Sequence, residues 1–473
     1  MLIRRPQIKL LFYALPFLVF FSLFGSLVKA SGAMTSEEEK KLGKKVALEI
    51  RKEADFVKDL NVQTYIEKMG YTIVDQVGPT PFEFKFYVVN AVEPNAFAIP
   101  GGYIFVTTGL IVLAESEQEV AGVLGHEIAH VTQRHVAQMI ERSKRLSLAT
   151  LAAMLAALAA GRGGAGSQAG VAMASAMAGA LTLKYTREME ADADQNGLRY
   201  LIKSGYDPNG IVNFLNRIQR YSLATMPNIP PYLLTHPGTE NRIAMLQNLL
   251  QIGPKPEGPF KTLGNFSKIR TKAFAEEREP QIAVTHFQSV IDANPQHWEG
   301  YYGLGLTYRK MGRFDKAVEA LQKARSLAPD DIDISRDLGI IYFLSGKVDQ
   351  SIECLEALQS TSGKSEENDL MTAYYLGRAY QEKGQFAKAL PLLLKIQKEE
   401  PEYIDVYHHL GSVYGRMGQK GLSHFYFGKY FKLKWESNNA LLHFRTAMDW
   451  LERGSPEREE AQREIKELAT PQK

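Results

Sequence analysis

Apolar and polar positions change their rhythm several times along the chain. Leu10 to Leu27 is almost continuously apolar, with Arg4, Arg5 and Lys9 before it and Val28-Lys29-Ala30 after it. A basic start, an apolar run and small residues at its end read as an export signal over residues 1–30, with Ser31 as the new N-terminus. The run is about 18 residues, long enough to remain as an uncleaved inner-membrane anchor instead. Thr35-Ser36-Glu37-Glu38-Glu39 then offers a cap and acidic residues suited to a helix start. From Phe82 the pattern alternates, with Phe82, Phe84, Phe86 and Val88 separated by polar or larger residues, which predicts a strand. Asn95 to Leu110 predicts two more strands around the turn Pro100-Gly101-Gly102. Ser116 opens a helix, and Glu119 stands at the capping-box spacing from it. Leu146 to Ala160 and Ala169 to Leu183 are alanine-rich and apolar, split by a glycine-rich break. At about 15 residues each, they fall short of a bilayer span. They predict a packed helical hairpin; a flap making peripheral membrane contact through 146–183 is the sharper reading.

Downstream the pattern repeats. Gly305, Gly339, Gly377 and Gly411 are spaced by 34, 38 and 34 residues, each followed by a tyrosine three positions on. Thirty-four is the tetratricopeptide period. Ser360 to Asn368 absorbs the longer middle spacing, and Phe274, Ala283 and Pro295 mark a degenerate first unit. Each such unit is a helical pair that buries its apolar face only by stacking on its neighbours, leaving a curved surface suited to a protein or peptide. Gly253, Pro254, Pro256, Gly258 and Pro259 form a linker. The expected organisation is a signal over 1–30, a catalytic domain over 34–252 and a linker over 253–263. Repeats over 264–434 follow, then capping helices and a tail over 435–473. The fold class is mainly α, with a small β-sheet in the first domain and an α-solenoid after it.

Composition narrows the chemistry. A chain of 473 residues with net charge +3 lacks the basic density of a nucleic-acid binder, so no nucleic acid is expected. The single cysteine, Cys354, excludes intramolecular disulfides and thiolate-rich zinc sites. A metal must therefore sit on His, Asp or Glu.

Gly125-His126-Glu127-Ile128-Ala129-His130 lies inside the helix that Ser116 opens. Positions four apart share a helix face, so His126 and His130 can grip one ion while Glu127 reaches a water beside it. This is the HExxH arrangement of zinc peptidases. Glycines in this helix cost about 1 kcal/mol each relative to alanine, which is understandable where another backbone or a substrate approaches closely. A third ligand is required. Thr186 to Lys203 predicts a helix ended by Gly205, and it carries two acidic pairs at spacing four. Glu188 with Asp192 is one, as ligand and partner of a ligating imidazole; Glu190 with Asp194 is the other, on a different face. Spacing leaves both open. His135 lies about 180° round the helix from His126 and is expected not to ligate. His236, held before Pro237, is a candidate for approaching the zinc, as an oxyanion stabiliser or as a group that keeps the enzyme latent.

HExxH followed by a distant Glu-x-x-x-Asp resembles the HtpX-like branch of the gluzincin metallopeptidases. Pro94 to Gly102, Arg187 to Asp192, and Thr235-His236-Pro237 with Arg242 are similar as well. With the signal and repeats, the layout is similar to that of the periplasmic beta-barrel assembly-enhancing protease family. The resemblance implies a zincin-type domain with one Zn2+ per chain, held by His126, His130 and Glu188. Glu127 is then the general base and Asp192 the accessory carboxylate. It also implies envelope quality control: clients that are unfolded or misassembled envelope and outer-membrane proteins, and the outer-membrane assembly machinery as a partner of the repeats. A strand edge at Asn95, Ala96 and Phe97 is expected to pair with extended substrate. The rival reading is a repeat-based periplasmic chaperone or assembly adaptor whose zinc domain is latent or structural, against which the intact Glu127 argues.

Overall fold

The computed structural model describes residues 34–142, 185–253, 259–361 and 369–469. The stretch expected to be an export signal (1–30), the alanine-rich stretch expected to form a helical hairpin (146–183) and residues 254–258 of the expected linker lie outside the described residues.

Thr35 caps α1 (Ser36–Glu53) with a full capping box to Glu38, and Asp59 caps α2 (Leu60–Val74). The sheet order is β1-β3-β2. In it, β1 (Lys85–Val89) runs parallel to β3 (Tyr103–Thr107), and β2 (Ala96–Ile99) runs antiparallel to β3. Gly101 and Gly102, at φ 83° and 100°, make the β2–β3 turn in a backbone region that favours glycine. Phe82, Phe84, Phe86 and Val88, the alternating set, all point into the core beside α2. Then come α3 (Thr108–Leu113), α4 (Glu117–Thr132) and α5 (His135–Arg142). After the gap follow α6 (Arg187–Ser204), α7 (Asn209–Ala224), α8 (Pro231–Thr235) and α9 (Thr239–Ile252).

The core is built around α4. Its glycines are where neighbouring backbones touch it. A Cβ on Gly122 would stand 2.4 Å from the Ile211 nitrogen of α7, and one on Gly210 would stand 1.9 Å from the Gln118 carbonyl oxygen. Gly125 and Gly197 do the same for α4 against α6, with a Cβ on Gly197 only 3.0 Å from Gly125. The helix carrying His126 and His130 is thereby locked between two others at backbone distance.

The second half is an array of helical pairs. It comprises α10 (Phe266–Glu277), α11 (Pro280–Ala293), α12 (Trp298–Lys310), α13 (Phe314–Leu327), α14 (Ile332–Leu344) and α15 (Val348–Thr361). It continues with α16 (Leu370–Glu382), α17 (Phe386–Glu399), α18 (Ile404–Arg416), α19 (Lys420–Leu433), α20 (Ser437–Trp450) and α21 (Pro456–Ala469). The repeated glycines sit under a large side chain of the paired helix: Gly305 under Leu321, Gly339 under Leu355, Gly377 under Leu393 and Gly411 under Phe427.

The array does not hang free. Phe266, Ile269 and Ala273 of α10 belong to the core of the first half. Leu60 of α2 is buried in the same apolar cluster as residues of the array, Ile340, Leu370 and Tyr374 among them, and Lys272 pairs with Asp59 at 2.8 Å. Further along, Glu402 receives Lys85 Nζ at 3.1 Å, the Tyr87 hydroxyl at 2.8 Å and Arg51 at 3.1 Å.

Candidate metal centre

Ser116 caps α4 by accepting from Glu119 N–H. The reciprocal half of the box is shifted by one residue: Glu119 accepts from the Glu115 backbone N–H at 3.2 Å rather than from that of Ser116, and it also takes two hydrogen bonds of 2.8 Å from Arg217. Two turns further on, His126 and His130 are buried with their Nε2 atoms 3.0 Å apart. Glu127, beside them, is fully buried.

The carboxylate facing them is Glu190, not Glu188. Glu190 lies 3.4 Å from His130 Nε2 and 3.6 Å from His126 Nε2, whereas Glu188 is exposed. Two residues on a helix differ by about 200° of rotation, so the two carboxylates cannot share a face. The buried stripe Met189, Ala193, Gly197 and Leu201 is the inward side of α6, and Glu190 and Asp194 flank it. The accessory position shifts likewise. Asp194 accepts from His126 Nδ1 at 2.9 Å and binds Arg242 through both oxygens, at 2.7 and 2.8 Å. Asp192, with its side chain 44% exposed, is displaced from this place.

Asp192 has another neighbour. His135 Nε2 is 3.2 Å from it, and His135 Nδ1 is 3.0 Å from His130 Nδ1. The chain reads in one direction: His130 Nδ1–H donates to His135, whose Nε2–H donates to Asp192. That leaves His130 Nε2 with a lone pair toward the cluster. Helix spacing placed His135 on the far side of α4; Gln133 closes that helix and Arg134 takes a positive φ of 58°, so α5 starts afresh and swings His135 back.

His236 joins the group from the end of α8. Its Nδ1 is 3.0 Å from Glu190 and 3.3 Å from His126 Nε2. Its ring stacks on Tyr232 at 4.5 Å. His126, His130, Glu190 and His236 offer donor atoms all within 4.8 Å of one another.

A model of peptidase family M48 matches residues 59–250, which contain this whole cluster. Tetratricopeptide models match residues 298–331 and 372–403. Residues 59–250 are a peptidase family M48 domain. The chain is 33% identical over 310 residues to a putative beta-barrel assembly-enhancing protease of Vibrio cholerae, covering 64% of this chain and 63% of that one. It is 27% identical over 322 residues to the beta-barrel assembly-enhancing protease of Escherichia coli, covering 66% and 65%. With the mitochondrial metalloendopeptidase OMA1 of Schizosaccharomyces pombe it shares 28% over 187 residues, or 39% and 52% of the two chains. The chain thus spans a little under two thirds of the length of the first two relatives.

The M48 centre has the donor set of a divalent cation site. Two imidazole Nε2 atoms confront each other at 3.0 Å. Both Glu127 oxygens and His236 Nε2 are buried without a hydrogen-bond partner among the described residues. Glu127 and His236 come within 3.4 Å but not in hydrogen-bond geometry. Three nitrogens and a carboxylate suit zinc. Burial opposes ionisation of Glu190, but Arg242 and then His236 overcome it and hold that carboxyl well below the usual range. Burial works against Asp194 too, and Arg242 with His126 brings it down to about 2. The basic environment thus keeps both acids as anions. His130 is held neutral, first by burial and then by His126, which leaves its imidazole able to ligate.

Of the expected substrate strand, β2 pairs only with β3 among the described residues, so it is an outer strand, and Ala96 and Phe97 on it are buried rather than exposed. Asn95 just before it is buried with both side-chain amide atoms lacking partners among the described residues. In the repeats, His408 is exposed and His409 half-buried, and neither belongs to the metal-capable group.

Proposed function

We propose that the protein is a zinc-dependent endopeptidase of the cell envelope, with repeats that hold polypeptide clients for it. The observation that carries this reading is the buried cluster of His126, His130, Glu190 and His236, with the unpartnered Glu127 carboxylate beside it. His126, His130 and Glu190 would hold one zinc ion. Bound there, zinc supplies Lewis-acid polarisation of a scissile carbonyl and makes a water more acidic. Glu127 takes the proton of the attacking water and passes it to the leaving amine. Asp194 and His135 hold the two ligating imidazoles in the tautomer that presents Nε2. Arg242 keeps Glu190 and Asp194 anionic and in place. The Asn95 amide, whose donor and acceptor lack partners among the described residues, suits a substrate backbone entering along β2.

In this arrangement His236 is the fourth donor, where a water or substrate oxygen would have to stand. The resting enzyme is therefore latent, and turnover requires His236 to move aside. Clients of envelope or outer-membrane origin are supported by the signal-like first thirty residues and by the names of the relatives in Vibrio cholerae and Escherichia coli. Among the described residues no helix is long and apolar enough to cross a membrane.

The test is cleavage of an unfolded model protein by wild type, Glu127→Gln and His236→Ala, all at matched zinc content. The expected order is His236→Ala fastest, wild type slower, and Glu127→Gln inactive, with a chelator stopping all cleavage. If all three hold zinc and none cuts, the chain is an adaptor with a structural zinc domain.

A further inference from the structure

Cations on the face of the array that receives α2 are matched with carboxylates. Lys272 pairs with Asp59 at 2.8 Å, Arg309 with Asp337 at 3.4 Å and Arg336 with Asp369 at 3.1 Å. Arg378 breaks the pattern. It is half-buried on α16, four residues after Tyr374 and so on the same side of that helix. Its guanidinium lies 4.7 Å from the Phe343 ring and 5.2 Å from each of the Tyr374 and Tyr375 rings. Its Nε is buried without an acceptor, and no carboxylate pairs with it among the described residues.

An aromatic cage offsets part of the cost of burying this charge, but it accepts no directed hydrogen bond from the guanidinium edge. A planar carboxylate would do so through two parallel bonds. The neighbouring polar groups do not compete. His409 Nδ1 and the Gln381 side-chain oxygen engage each other at 2.9 Å, and the Gln381 amide donates to Ser412 at 3.1 Å. Burial, with the Arg378 charge behind it, pushes the His409 imidazole down to about 3, so of the two it is Arg378 that carries the positive charge.

The same surface already holds one ligand of this chemistry. Asp59 and Leu60, adjacent in the chain, dock at the start of α2: the acid on Lys272, the leucine in the apolar cluster that also holds Ile340, Leu370 and Tyr374. We infer that Arg378, caged by Phe343, Tyr374 and Tyr375, is a binding site for an acidic side chain next to an apolar residue in a client polypeptide. The client would thus engage the array as Asp59-Leu60 does from within the chain. This deepens the client-holding role proposed for the repeats and requires no cleavage.

The test uses the full-length protein with Glu127→Gln, so that binding is read without turnover. The probe is a dye-labelled peptide, blocked at both ends, with one Asp-Leu pair in a polar background, followed by anisotropy. The expected result is saturable binding that falls roughly tenfold when the peptide's Asp is replaced by Asn, and by a similar factor in Arg378→Gln, with Arg378→Lys between. Equal affinity for the Asp and Asn peptides overturns the inference, and that comparison is made on a protein with Arg378 intact, so a folding defect in the variant does not obscure it. Binding of only an Asn peptide with a free C-terminal carboxylate also overturns it, since the site would then read chain ends. Because cleavage by the unaltered enzyme is measured separately, loss of peptide binding with cleavage retained rejects this inference alone.

Discussion

Glu188 and Glu190 stand two residues apart and have opposite fates. Glu190 is inside the cluster with Arg242 Nη1 at 2.6 Å, and Glu188 is on the surface. Glu190→Gln is expected to abolish stoichiometric zinc and with it activity, while Glu188→Gln keeps both near the wild-type level; zinc per chain after dialysis distinguishes them. A zinc-replete Glu190→Gln enzyme would mean that His126, His130 and His236 hold the ion without the carboxylate. His135 carries a subtler expectation. It touches the ligand His130 and not the cluster itself, so His135→Ala is expected to weaken zinc affinity by about 10- to 100-fold without changing stoichiometry at saturation. Competition with a chromophoric chelator measures this directly, and unchanged affinity would reduce His135 to a packing residue.

At the scale of elements, caps and periodicity were plain in the sequence. Thr35 and Ser116 are the N-caps expected, Thr186, expected as the first residue of α6, is its N-cap, and Gly205 ends α6 at φ 82°. Signals of this kind are local: a hydroxyl reaches an amide three residues on, whatever the rest of the chain does. The glycines of α4 were conspicuous but ambiguous, since a close approach can come from substrate or from another helix. The partner proves to be α7 at Gly122 and α6 at Gly125. Gly122→Ala should therefore destabilise the protein by about 1–3 kcal/mol, against the gain of about 1 kcal/mol that alanine brings to an open helix. Thermal unfolding of the zinc-loaded protein tests it, and a raised Tm would show that α7 can retreat. The stripe Met189, Ala193, Gly197 and Leu201 is legible in the sequence and puts Glu190 and Asp194 on a different side of α6 from Glu188 and Asp192, but which side meets α4 is a matter of packing.

For the whole molecule, the junction between the M48 domain and the repeats carries a cluster of acids. Glu402 is satisfied by Arg51, Lys85 and Tyr87. Glu400 is not so placed: burial, then Glu67 and Glu402, pushes its carboxyl up to about 7 from an ordinary 4.5. A value raised on folding means that the folded state resists ionisation. Its contribution is fully present below pH 4.5 and is lost as the pH rises through about 7. Glu400→Gln is expected to raise stability at pH 8 by on the order of 1 kcal/mol, and to leave it unchanged near pH 4.5. Denaturant melts at the two pH values measure this, and an equal effect at both would assign the change to packing.

The HExxH pair, the strands, the caps and the repeat period follow from the sequence alone, because each depends on residues within a turn, a strand or one repeat of each other. Tertiary structure decided the rest. The choice of Glu190 and Asp194 depends on which side of α6 meets α4, and the entry of His236 depends on where α8 ends, 110 residues from His126. The return of His135 depends on a single backbone reversal at Arg134. The docking of Asp59-Leu60 on the array depends on surfaces that are hundreds of residues apart in the chain. Spacing specifies rotation about one helix axis; it carries no information on how that axis lies against another, and a metal centre is assembled from several.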